Sequence, residues 1–108
     1  MAKFETTLNG DFDAILEKIE NGIISGSISA SLEDKSDFVG NNSRCSVRVF
    51  ERYSAVGSNR VSLSVTLFQD ESGFIRLSAI TAGGSQAVLF KLNNFGEEAF
   101  LDKLKELI

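Results

Sequence analysis

Hydrophobic residues along this chain change period twice. Residues 3–8, KFETTL, alternate, with Phe4, Thr6 and Leu8 on one side and Lys3, Glu5 and Thr7 on the other, which predicts a short first strand. Asn9-Gly10 is a turn signal, and Asp11 has the chemistry of a helix N-cap. From Phe12 the period lengthens: Phe12, Ile15, Leu16, Ile19 and Ile23 form one stripe of a helix that exits at Gly26, while Glu17, Lys18 and Glu20 face away.

Alternation then returns. In SISASLE, Ile28, Ala30 and Leu32 alternate with serines, and the polar stretch DKSDFVGNNS reads as a loop. RCSVRVFERY follows, with Cys45, Val47 and Val49 assigned to the core side and Arg44, Ser46, Arg48, Phe50 and Arg52 to the other. After SAVGSN come Val61, Leu63, Val65 and Leu67, and after QDESG come Ile75, Leu77 and Ala79, again one side of a strand each. Phe100, Leu101, Leu104, Leu107 and Ile108 make a second helical stripe, with Asn94 and Glu97 spaced as a capping pair. VLFKL, residues 88–92, is read as extended.

The order is β-α-β-β-β-β-α. Each strand has one apolar face and two amphipathic helices are available, so the expected architecture is α+β. It is a two-layer sandwich: an antiparallel sheet of about five strands, two helices on one face, and residues 1–108 as a single domain. Two helices cannot cover both faces of such a sheet, so one face is left open. The element order resembles the TBP-like and helix-grip folds. At the residue level SGSISASLED, RVFERYS, NRVSL, SAITAGGSQA and FGEEAFLDKL resemble an uncharacterised bacterial family, a domain of unknown function. That resemblance implies a small bacterial protein and supplies no activity.

Composition changes the picture mainly by exclusion. The chain has 108 residues, a net charge of −4 and no histidine. Without imidazole, a Ser-His-Asp or Cys-His arrangement and any His-ligated zinc site are impossible. No phosphate-binding loop and no GxGxxG is present, no metal or cofactor is expected, and nothing in the carboxylate or lysine spacing marks a catalytic pair. The expectation is therefore a protein that is not an enzyme. The negative charge argues against general nucleic-acid binding. No apolar run approaches the roughly 20 residues of a membrane span. The N-terminus has no signal-peptide character, and the single cysteine cannot make an internal disulfide, so a cytoplasmic protein is expected.

What remains is the open face. All five arginines, Arg44, Arg48, Arg52, Arg60 and Arg76, fall opposite the apolar residues by the parity above, leaving six lysines against fifteen acids elsewhere. Phe50, Phe68 and Phe74 share that side, which predicts a basic, aromatic-bearing surface. If Phe68 pairs with Phe74 and Arg52 with Ser62, then Arg48 and Arg76 flank Thr66 and can converge on one anionic group.

Three readings compete. A merely solvated face needs no function, because arginine is rarely buried unpaired. Exposed phenylalanines suit a homodimer or a protein partner. The same groups could take a small anionic or nucleotide-like ligand. Gly83, Gly84 and Ser85 are candidates for a backbone anion nest. Cys45 reads as a small buried hydrophobe. Glu51 contradicts its own strand: it has core parity yet is charged. A strand end or bulge would explain it, and a buried carboxylate there would be a candidate acid or base. A cavity beneath the C-terminal helix, as in helix-grip proteins, is disfavoured because the apolar residues suffice for a solid core and little more.

Overall fold

The computed structural model describes residues 1–54, 59–83 and 90–108. Seven elements follow one another: β1 (Ala2–Leu8), α1 (Phe12–Ser25), β2 (Ser31–Gly40), β3 (Ser43–Ser54), β4 (Asn59–Gln69), β5 (Ile75–Gly83) and α2 (Phe90–Lys105). The strands form one antiparallel sheet in the order β1-β5-β4-β3-β2, with β4 central and β1 and β2 at the edges. This is a two-layer α+β architecture, with both helices against the same side of the sheet.

The helices form for the reasons their sequence supplies. Asp11 caps α1 by accepting a hydrogen bond from the Ala14 amide at 2.8 Å. The stripe Phe12, Leu16, Ile19 and Ile23 is buried. Phe100, Leu101 and Leu104 of α2 are buried against the same core, which the sheet completes with Phe50, Val61, Leu63, Val65, Leu67, Ile75, Leu77 and Ala79. Fully burying each Leu, Ile or Phe is worth about 1.5–3 kcal/mol, so this single core dominates the stability.

Two boundaries depart from expectation. Ser27–Ala30 forms no strand, and Ile28 is fully exposed; instead the polar stretch from Ser31 to Gly40 is β2, read above as a loop from Asp34 onward. An edge strand needs no apolar alternation of its own, because only its hydrogen bonds to β3 are required. A two-residue turn, Asn41-Asn42, closes that hairpin, with Asn42 at φ 57°. At the other end, residues 90–92 belong to α2, which begins before the Asn94–Glu97 pair and corrects the extended reading of that part of VLFKL. Residues 88 and 89 lie outside the described residues.

The larger correction concerns β3. Ladder partners of β3 and β4 are Arg48 with Val65 and Phe50 with Leu63, so the even-numbered residues of β3 share the helix-facing side with the core of β4. Phe50 is fully buried and Arg48 is 5% exposed, whereas Cys45, Val47 and Val49 point to the open face. The expected pairing of Arg52 with Ser62 is wrong by one residue (the partner is Val61), and a one-residue slip turns every side chain of a strand over.

Candidate functional site

The five arginines are divided between the two faces. Arg44, Arg48 and Arg52 lie under the helices, which corrects their assignment, and that of Phe50, to the open side. Arg44 grips Asp13 of α1 with two hydrogen bonds, at 2.8 and 3.2 Å, and its guanidinium sits 4.0 Å from the centre of the Phe12 ring. Arg48 donates to Glu20 of α1 at 2.5 Å and to Asp37 of β2 at 3.0 and 3.3 Å, and also reaches the Val47 and Ser36 carbonyls. Burial works against its charge, yet the hydrogen bonds it donates to Asp37 and Glu20 outweigh it and raise its pKa above the ordinary value. Glu20, expected to face away, is thus half-buried and occupied.

The partners respond in kind. The Ser46 hydroxyl first, and Arg48 second, hold Asp37 below the usual carboxylate range; Arg44 does the same for Asp13. Arg52 lies over the Phe100 ring at 4.6 Å, and burial lowers its pKa. Among the described residues it makes no ion pair, and its Nε has no hydrogen-bond partner. These three side chains join helices to sheet. They do not offer themselves to a ligand.

The open face keeps Arg60, Thr66, Phe68 and Arg76, and it gains residues that the sequence reading placed elsewhere. Ladder partners arrange it in rows across the strands from β2 to β1. One row reads Phe38, Cys45, Phe68, Arg76, Thr7; the next Ser36, Val47, Thr66, Ser78, Glu5; the third Asp34, Val49, Ser64, Ile80, Lys3. Phe38 is 67% exposed and Ile80 38%. Phe38 escaped notice because it sat in a supposed loop, and Cys45, Val47 and Val49 because they were assigned to the core.

This surface is not basic, contrary to expectation. Lys3, Arg60 and Arg76 are set against Glu5, Asp34 and Glu51, and Arg60 is held by Glu51 at 2.8 Å with Glu33 at 3.9 Å. Glu51 is therefore an ordinary open-face carboxylate, neither a strand-end accident nor a buried acid. Phe74 is exposed in the turn before β5, outside the ladder, whose register pairs Gln69 with Ile75; Thr66 accordingly faces Ser78 and not Arg76.

A concavity of about 370 Å³ opens on this face, lined by Glu5, Thr7, Thr66, Phe68, Arg76 and Ser78. Arg76 forms no ion pair among the described residues. Arg48, on the opposite side of the sheet, cannot join it there. Gly83 ends β5 in pairing with Val61, and Gly84 and Ser85 of the expected nest lie outside the described residues. Among the described residues no cluster of His, Cys, Asp or Glu could hold a metal ion, and no helix is long and apolar enough to cross a membrane. No curated protein and no solved structure matches the chain. A family model does match, over residues 1–108, and the chain belongs to that family, described as a family of unknown function (DUF6054).

Proposed function

We propose that this chain is a non-catalytic binding domain, and that a protein partner covers the open face of its sheet. The observation that carries this reading is the apolar band Phe38, Cys45, Phe68, continued by Val47, Val49 and Ile80, on the side the helices leave bare. An uncovered apolar patch on a sheet is costly in water and characteristic of interaction surfaces. The carboxylates with lowered pKa at the helix side support the non-catalytic reading, since Asp13 and Asp37 are engaged by structural arginines. The strand order, with both helices on one side, supports a TBP-like architecture, and the half-exposed free thiol of Cys45 supports a reducing compartment.

The test is a photo-reactive side chain at Thr66, on the open face, against one at Glu17, exposed on α1. Capture of protein at Thr66 that is lost in Phe68→Ser, with none at Glu17, is the expected result. Equal capture at both positions, or none at Thr66, would overturn the reading.

A second reading has its own observation. The concavity beside Arg76 brings a guanidinium without an ion pair among the described residues together with the hydroxyls of Thr7, Thr66 and Ser78, a donor set suited to a small anion although the Glu5 carboxylate also lines it. Inorganic phosphate at low salt should then raise the melting temperature of the protein, and Arg76→Ala should remove that rise. A melting temperature indifferent to phosphate would sink it.

A further inference from the structure

Resting on the open face as the binding surface, we infer that its partner is a second copy of this chain, packed face to face about a two-fold axis running close to β4. The argument starts from the sheet order. Because β4 is central, such an axis exchanges β3 with β5 and β2 with β1 of the other copy while keeping the rows in register. Residues of β4 then meet themselves: Phe68 stacks on Phe68, and Ser64 and Thr66 face their own copies. Val49 meets Ile80. At both rims Asp34 of one copy meets Lys3 of the other, because these two residues end the same row on opposite edges.

The surface is thus self-complementary in charge where Asp34 meets Lys3 and in apolar content at Phe68 and at Val49 with Ile80, while Phe38 meets Thr7, Cys45 meets Arg76 and Val47 meets Ser78. The one like-charged pair on the axis, Arg60 with Arg60, carries its own counter-charges in Glu51 and Glu33. An axis across the strands at Ser64 fares worse, since it reverses the rows and sets Asp34 against Asp34 and Lys3 against Lys3. The near balance of charge matters too. A chain of net charge −4 repels its copies on average, and a face whose charges balance adds little to that repulsion. At strand spacings of 4.8 Å and about 6.8 Å between rows, the face covers roughly 500 Å² per copy, so full coverage just reaches the roughly 1,000 Å² total at the lower bound for a specific interface. That area fits a reversible dimer. Aligned sheets cross near 30°, which keeps the central residues opposed and leaves the rim pairs to long side chains such as Lys3.

Sedimentation across a wide concentration range, combined with cross-linking, tests this. Ser64→Cys in a Cys45→Ser background should be joined by a short bis-maleimide at least tenfold faster than Glu17→Cys in the same background. A direct disulfide is not the probe, because packed sheets hold these Cα atoms about 10 Å apart. Lys3→Glu, at an exposed position, should weaken the dimer, and adding Asp34→Lys should restore it. A monomer at all concentrations, with Ser64→Cys linked no faster than Glu17→Cys, overturns the inference. If the Thr66 photo-probe then captures a different protein, the open-face reading survives and only self-pairing falls; if it captures nothing, both fall.

Discussion

Arg48 shows what a charged residue does when a fold takes it inside. Its side chain is 6% exposed, and it bridges Glu20 of α1 to Asp37 of β2. Removing one member of a buried ion-pair network leaves the others desolvated without a partner, although Glu20 and Asp37 keep some water here. Arg48→Met should therefore lower stability by about 1–3 kcal/mol in urea unfolding. Arg52→Met should change it by less than about 1 kcal/mol, because that guanidinium is half-buried with no ion pair among the described residues. The same network sets a pH dependence. Asp37 and Asp13 have folded pKa values below the ordinary 3.8, so they bind fewer protons folded than unfolded. Their contribution is complete above that value and lost as pH falls through the folded pKa. Urea midpoints taken down from pH 6 should hold and then drop below about pH 4, less steeply in Asp37→Asn.

At the scale of elements, the β2–β3 hairpin and the facing of β3 decide where the surface lies. Asn42, at φ 57°, occupies the left-handed region that asparagine and glycine tolerate. Asn42→Gly should be neutral, and Asn42→Val should cost about 1–2 kcal/mol, both readable from thermal unfolding. Much of the rest was legible: the stripe of α1 with its Asp11 cap, the core residues of β4 and β5, and the element order all followed from periodicity. The facing of β3 was misread because both of its sides carry β-formers. Valines and a cysteine looked like a core, and arginines looked like a surface. Two residues contradicted that choice. Glu51 had core parity and Phe50 had surface parity, and inverting the strand satisfies both at once. What alternation could not show was that Asp13 and Glu20 of α1 stand ready to receive Arg44 and Arg48. Long-range ion pairs leave no period in a sequence.

For the whole molecule, two kinds of stability are separable. The core between sheet and helices is internal to one chain: Leu104, with no exposed surface, should cost about 2–5 kcal/mol as Leu104→Ala at any protein concentration. The open face behaves differently if a second copy covers it, because only folded chains can pair. Mass action then adds about 1.6 kcal/mol per chain when total protein stands a hundredfold above the dissociation constant, enough to raise the melting temperature by several degrees. Calorimetry across a concentration series should show that rise in the native chain. It should be smaller in Lys3→Glu and return when Asp34→Lys is added. Leu104→Ala should shift downward while keeping the same slope with concentration. A melting temperature independent of concentration in the native chain would mean that the face stays bare in the isolated protein. Self-pairing would then fall, and the Thr66 photo-probe would decide whether a different protein covers the apolar band.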